Sequence, residues 1–147
     1  MRIVLADARA PWTHDDAVAR IEELALHLRR RGHDVQDVVL PFSGRPEALR
    51  AEASAWRLLD LSASNAHAID LLIATRFPAY FARHPRKVAW LLAETQVPDA
   101  LADLDARMLR ECARVFTTSQ GCADRLERAE ILRPEPTWAV VLERLLG

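Results

Sequence analysis

Glycine is scarce in this chain, with only four among 147 residues. A nucleotide-binding α/β domain places glycines between its first strand and its first helix, because the backbone must come close to a phosphate there. The corresponding loop, residues 7–15, reads DARAPWTHD and contains no glycine. The sequence therefore excludes a dinucleotide-binding fingerprint and a P-loop, and we expect no cofactor.

Lysine and cysteine are also rare. Lys87 is the only lysine, and Thr75 rather than an aspartate stands at the end of the apolar run at residues 71–74, which excludes a receiver-type phosphoacceptor domain. The two cysteines, Cys112 and Cys122, do not form a Cys-x-x-Cys pair. This spacing argues against a structural zinc site and a thioredoxin-like site. We expect both residues to be reduced, buried thiols.

The densest group of possible metal ligands is His14-Asp15-Asp16. It directly precedes a helical pattern, where Thr13 or Asp15 can cap the helix and negative charge faces the positive end of the helix dipole. We therefore interpret the group as an exposed loop and helix cap, and expect no metal site. None of the five histidines stands in a recognised motif with a Ser or Cys nucleophile.

The chain has neither an excess of charge of one sign nor a long apolar run. The formal net charge is -1, which gives no reason to expect nucleic acid or an anionic membrane as a partner. No apolar run approaches the length of a membrane span, and the N-terminal MRIVLADA is too short for a signal peptide. We expect a cytoplasmic protein without a membrane span.

Short apolar runs alternate with helical patterns along the whole chain. The runs show little alternation, which is typical of parallel strands that are covered on both faces. The predicted strands are Arg2–Ala6, Val35–Leu40, Leu71–Ala74, Val88–Leu92, Arg114–Thr117 and Ile131–Leu132. The predicted helices run from Thr13 or Asp15 to Arg31, from Pro46 to Leu61, onward from Pro98, from Gln120 to Arg128 and from Thr137 to Leu146. This alternation predicts an α/β fold with a doubly wound parallel sheet, a Rossmann-like three-layer αβα arrangement.

The chain divides into one domain, residues 1–136, and a closing helix, residues 137–147. Trp138, Val141, Leu142 and Leu145 recur at helical spacing in that last segment. The helix should dock on the body, because its apolar face would otherwise be a sizeable exposed patch. Residues 62–68 are small and polar, and we interpret them as a connector.

Residues 69–78, IDLLIATRFP, followed by residues 84–91, HPRKVAWL, carry the most specific motif of the chain. RRRGHDV at residues 29–35 and RVFTTSQGCADRL at residues 114–126 support it. Together these segments resemble the N-terminal domain of bacterial family 4 glycosyltransferases of the GT-B fold. The resemblance extends over nearly the whole chain.

The resemblance implies an architecture of two Rossmann-like domains, in which the N-terminal domain receives the acceptor and the C-terminal domain holds the nucleotide sugar. Residues 137–146 are similar to the family's last helix, which crosses back onto the N-terminal domain, although an ordinary amphipathic helix explains the same pattern. The family comparison implies that the donor-binding domain is missing here, excised near residues 133–136.

Two departures from the family imply that catalysis is lost. Ala93 stands where this branch of the family has a histidine, and a methyl group can neither accept a proton nor hydrogen-bond a developing charge. The first loop also lacks the glycines that let the backbone approach a donor phosphate. Glu94 is a possible substitute base, but a carboxylate at a strand end is more often a cap or surface group. We therefore predict no catalytic residue.

Three functions remain open. The first is a binding or assembly module, with a second copy or a protein partner covering an open cleft face near Trp12, Phe42, Phe77 and Tyr80. The second is the acceptor-binding half of a glycosyltransferase that a donor-binding chain completes in trans, so that a sugar or nucleotide sugar binds only with that partner. The third is a small-ligand binding domain that uses the carboxyl edge of the sheet. The candidate ligand contacts are Trp12, His14, Arg76, Phe77, Glu94 and Ser119.

Overall fold

Strands and helices alternate in the computed structural model, which describes residues 1–126, 128–134 and 137–147. The strands are β1 (Arg2–Ala8), β2 (Asp34–Leu40), β3 (Ala63–Ser64), β4 (His67–Ala68), β5 (Leu71–Ala74), β6 (Lys87–Leu91), β7 (Arg114–Thr117) and β8 (Ala129–Ile131). The helices are α1 (Asp16–Arg30), α2 (Leu49–Leu58), α3 (Asp99–Arg110), α4 (Gln120–Arg125) and α5 (Trp138–Leu146), and a 3₁₀ turn covers Ala79–Phe81.

The central sheet has six strands in the order β2-β1-β5-β6-β7-β8, and all neighbours are parallel. Successive residues of a strand point to opposite faces, so Ile3 and Leu5 pack on one side of the sheet and Val4 and Ala6 on the other. Helices α1 and α5 cover the first face, whereas α2, α3 and α4 cover the second. The predicted Rossmann-like three-layer α/β fold is confirmed.

Helix α1 forms where its sequence predicts. The side chain of Asp15 accepts a hydrogen bond from the backbone N–H of Val18 at 2.9 Å and so caps the helix. Leu24 and Leu28 are fully buried on the side that faces the sheet. Gly32 follows the helix with φ +86°, a left-handed conformation that glycine adopts without steric cost.

The C-terminal helix docks on the body as predicted. Val141, Leu142 and Leu145 are at most 1% exposed, and they pack in the same core as α1. Trp138 meets Trp90 edge-to-face, with 5.9 Å between the ring centroids. The predicted domain boundary at residue 136, and the last two residues of the predicted excision point, lie outside the described residues.

Buried charges correct two predicted strand ends. Strand β1 continues through Asp7 to Ala8 instead of ending at Ala6, and Asp7 is only 2% exposed. Strand β6 begins at Lys87, which is also 2% exposed and donates hydrogen bonds from Nζ to the carbonyls of Tyr80 and Ala82 at 2.7 and 3.0 Å. Both charges are tolerated in the interior because each has close polar partners.

Other boundaries differ from the predictions by a few residues. Helix α2 begins at Leu49 rather than at Pro46, and the predicted connector at residues 62–68 contains the small antiparallel pair β3 and β4. Strand β8 begins at Ala129, two residues before the prediction. Helix α4 ends at Arg125, and the predicted continuation to Arg128 passes through Glu127, which lies outside the described residues. No helix in the described ranges has both the length and the apolarity to cross a membrane.

Candidate functional site

The carboxyl ends of the parallel strands meet at one edge of the sheet, and open α/β sheets bind ligands there. The strand order reverses between β1 and β5, so the usual binding crevice lies beyond Asp7 and Thr75. Residues 93–98, between β6 and α3, and residues 118–119, between β7 and α4, continue the same edge. Of the six predicted ligand contacts, Arg76 lies at the crevice, and Glu94 and Ser119 lie in these loops.

An internal ion cluster fills the crevice between β1 and β5. Arg76 donates from Nε to Asp7 at 2.9 Å and from Nη1 to Asp15 at 3.1 Å, and Thr75 donates to Asp7 at 3.0 Å. Burial opposes the charge on Arg76, but its bonds to Asp15 and Asp7 outweigh that penalty and raise its pKa. Although burial acts in the opposite direction, the Arg76 and Val18 hydrogen bonds lower the pKa of Asp15. Arg76 is therefore engaged by the protein's own carboxylates.

A second polar cluster lies two strands along the edge. Ser119 donates from Oγ to Glu94 at 2.9 Å, and Arg125 lies 3.4 Å from the other oxygen of the same carboxylate. The Ser119 hydroxyl also caps α4, because it accepts a hydrogen bond from the backbone N–H of Cys122. The structure thus brings the predicted contacts Glu94 and Ser119 together, although they are 25 residues apart in the chain.

Beside this cluster opens a cavity of about 760 Å³, which we call the carboxyl-edge cavity. Apolar and polar side chains both line it, a combination that is typical of small-molecule sites. The lining residues are Gly44, Pro46, Leu49, Phe77, Tyr80, Leu91, residues 93–99, Asp105, Leu109, Cys122, Arg125 and Leu126. Glu94 and Phe77 are thus the two predicted contacts that line it.

Asp105 and Tyr80 form a buried pair in the wall of this cavity. The Tyr80 hydroxyl donates to Oδ1 of Asp105, and the two residues are 2% and 9% exposed, respectively. Burial raises the pKa of Asp105 against the opposing effect of the Tyr80 hydrogen bond. Burial raises the pKa of Tyr80 well above its ordinary value, and the adjacent Asp105 charge acts in the same direction. The cavity wall therefore carries a carboxyl group that favours the neutral form more than a solvated aspartate does.

The sequence interpretation missed Asp105, although a signal was present. Asp105 follows Leu101 by four residues and precedes Met108 by three, so it lies on the apolar stripe of α3. A carboxylate on such a stripe requires a buried partner. Tyr80, 25 residues away, supplies it.

The aromatic residues predicted to form an open cleft face have different environments. Phe77 and Tyr80 are 3% and 2% exposed and belong to the core, which corrects their placement on an open face. Phe42 is partly buried and meets Phe77 edge-to-face, with 6.4 Å between centroids. Only Trp12 is freely exposed, at 92%. It lies with His14 beside a separate cavity of about 450 Å³ near the ends of β1 and β2.

The cysteine prediction is confirmed in its burial: Cys112 and Cys122 are both buried and neither forms a disulfide. Burial raises the pKa of Cys112 to about 11, so its thiol stays protonated and unreactive at neutral pH. Among the described residues, no three His, Cys, Asp or Glu side chains converge in a way that can hold a metal ion.

Comparison of the chain with protein-family models, with curated proteins and with solved structures gave no match. The glycosyltransferase resemblance of residues 69–91 therefore stays a prediction.

Proposed function

We propose that this chain is a glycosyltransferase-like binding module that does not catalyse transfer on its own, and that it holds a small polyhydroxylated ligand in the carboxyl-edge cavity. The observation that carries the proposal is the lining of that cavity, which combines a sizeable volume with carboxylate, hydroxyl and amide groups at Glu94, Thr95, Gln96 and Asp99. The hydroxyl and the amide donate and accept hydrogen bonds and the carboxylates accept them, as neighbouring hydroxyls of a sugar or polyol require.

The charge of the lining favours a neutral ligand over a nucleotide sugar. Glu94 and Asp99 are acidic, whereas Arg125 is the single basic side chain that lines the cavity within the described residues. Arg125 is already paired with Glu94. A diphosphate placed here would meet more negative than positive charge, and the loop after β1 has no glycine that lets backbone amides surround it.

The proposal of a non-catalytic module is supported by the groups near the cavity mouth. Ala93 presents only a methyl group, and Glu94 is engaged by both Ser119 and Arg125. A general base must reach the proton that it removes. Each Glu94 oxygen already has a partner, which disfavours the residue as a base but leaves lone pairs that can accept from a ligand hydroxyl.

Ligand-observed NMR with a panel of methyl glycosides tests the binding proposal. The panel contains the glucoside, mannoside, galactoside and N-acetylglucosaminide, and UDP-glucose and GDP-mannose serve as anionic comparisons. We expect at least one neutral glycoside to bind. Ala93→Trp should abolish that binding by filling the cavity. Ala19→Trp, at an exposed position of α1 on the other face of the sheet, should leave it unchanged. Tighter binding of the nucleotide sugars, or turnover of either one by the chain alone, contradicts the proposal.

A second candidate function is assembly, and the exposure of Trp12 favours it. Trp12 is 92% exposed and has φ +66°, a left-handed conformation that costs a non-glycine residue roughly 1–2 kcal/mol. Val39, on the neighbouring strand end, is 40% exposed beside the same cavity. We propose that a second copy of the chain covers this surface; a donor-binding chain that completes a transferase in trans is the alternative occupant.

Sedimentation velocity over a range of concentrations tests the assembly proposal. A second copy predicts a concentration-dependent dimer that Trp12→Ala weakens and that Leu58→Ala, at another exposed apolar position on α2, does not. A clean monomer at the highest concentration removes the homodimer. Trp12-dependent binding of a separately supplied nucleotide-sugar domain then identifies the trans arrangement.

A further inference from the structure

A smaller cavity adjoins the carboxyl-edge cavity between α3, α4 and β8. It has a volume of about 290 Å³, and we call it the apolar cavity. Its lining is mainly aliphatic, with four charged side chains among the eleven residues. The lining residues are Val97, Ala102, Asp105, Ala106, Leu109, Arg110, Val115, Arg125, Leu126, Arg128 and Ala129.

The two cavities share part of their walls. Val97, Leu109 and Leu126 line both, as do Asp105 and Arg125. Asp105 is thus the buried polar group at the junction, where its carboxyl can accept a hydrogen bond from a hydroxyl of a ligand that extends from one cavity into the other. The common walls make the cavities neighbouring compartments.

Two of the three arginines that line the apolar cavity interact with protein groups, and the third, Arg110, is exposed to solvent. Arg128 donates to the carbonyls of Arg110, Cys112 and Ala113 at 3.4–3.5 Å, where it neutralises the C-terminal end of α3. Arg125 is held by Glu94 at 3.4 Å. Two guanidinium groups are thus engaged and most of the lining is aliphatic, so the compartment favours an uncharged apolar group.

The volume of the apolar cavity sets the size of that group. An apolar cavity of about 150 Å³ binds benzene. The apolar cavity here is about twice as large, so it has room for one aromatic ring or a short alkyl chain. Aliphatic walls give such a group a favourable transfer from water.

We propose that the ligand of this protein is amphiphilic: its polyhydroxylated head occupies the carboxyl-edge cavity, and a short alkyl or aryl group attached to it occupies the apolar cavity. This inference rests on the proposed function, because it adds a second compartment to the same site. Asp105 lies where the two parts of the ligand join.

Matched glycosides test the inference by isothermal titration calorimetry below the micelle concentration. Each methyl glycoside of the panel is compared with the hexyl glycoside of the same sugar. Each buried methylene strengthens binding about fourfold, so burial of two or three of the five added methylenes makes the hexyl compound about 15- to 60-fold tighter. Equal affinity of the two series overturns the inference while leaving the head-group site intact, whereas no binding in either series overturns the proposed function itself.

Two substitutions then locate the alkyl group. Ala106 is half-buried and lines only the apolar cavity, so Ala106→Leu should remove the hexyl advantage while the methyl glycoside binds as before. Ala19→Leu places the same side chain at an exposed position of α1, on the other face of the sheet, and should keep the full affinity advantage of the hexyl glycoside. A hexyl advantage that survives Ala106→Leu shows that the chain binds elsewhere and overturns the inference.

Discussion

Replacing Arg76 by methionine tests whether the ion cluster between β1 and β5 is a structural element. Asp7 is 2% exposed, and Arg76 is the cation that neutralises it inside the fold, at 2.9 Å. Methionine has a similar volume but no charge, so Asp7 is left as a buried carboxylate whose cation is only the partly exposed Arg9 at 3.1 Å. Breaking a buried ion pair in this way costs about 3–5 kcal/mol, a large fraction of the roughly 5–15 kcal/mol that stabilises an ordinary domain.

Urea unfolding followed by circular dichroism measures this loss. With a slope of about 2 kcal/mol/M, a loss of 3–5 kcal/mol lowers the midpoint by about 1.5–2.5 M. Arg20→Met is the matched control, because Arg20 pairs with Glu23 on the surface of α1 with 34% and 49% of the two side chains exposed. Such a surface pair contributes roughly 0–1 kcal/mol.

The pH dependence of the loss identifies its cause. Arg76 helps to lower the pKa of Asp15, and this stabilisation is lost as the pH falls below the ordinary value of 3.8, so the difference between Arg76→Met and the wild type should shrink on acidification. If Arg76→Met costs no more than Arg20→Met, or if its deficit is independent of pH, the cluster does not stabilise the fold in the way argued above.

Three further predictions concern single positions. Asp105→Asn should raise the free energy of unfolding at neutral pH but not below pH 3.8. The folded pKa of Asp105 is raised above 3.8, so the wild type loses stability as the pH rises from 3.8 through the folded pKa. A thermal-unfolding series against pH that is identical for both proteins refutes this. Gly32→Ala should lower the free energy of unfolding in urea by about 1 kcal/mol, because φ is +86°. Gly121→Ala, in α4 with only an ordinary contact at 3.8 Å, should raise it by about 0.5–1 kcal/mol. Equal effects refute the conformational argument. Lys87→Met should cost about 2 kcal/mol or more in the same assay, because two buried carbonyls lose their donor, and a neutral result refutes that role.

The fold was predictable where burial selects apolar residues without help from distant partners. Strands β5 and β6 lie in the middle of the sheet, so nearly every position in them must be apolar, and the runs at 71–74 and 88–91 are recognisable from the sequence alone. The end of β1 was not predictable in this way. Asp7 continues the strand because Arg76, 69 residues away, neutralises it.

The candidate site was predictable only in part, for a similar reason. The general rule for open sheets identifies the loops after β6 and β7, and therefore Glu94 and Ser119. It does not indicate that Arg76 is engaged by internal carboxylates, nor that Tyr80 and Asp105 pair in the cavity wall. Each of these contacts joins two segments that become neighbours only when the sheet has formed.

The shortness of α4 has a consequence for amide hydrogen exchange. This helix has six residues, and the Ser119 cap and the Glu94–Arg125 pair hold its two ends. Short elements with few buried side chains open at low free-energy cost and exchange by local fluctuations rather than by global unfolding. A ligand in either compartment adds contacts between α4 and residues 93–98, so it should slow exchange there while the amides of α5, on the opposite face of the sheet, keep their rates. Exchange measurements therefore locate the occupied site even for a ligand whose chemistry is not yet known.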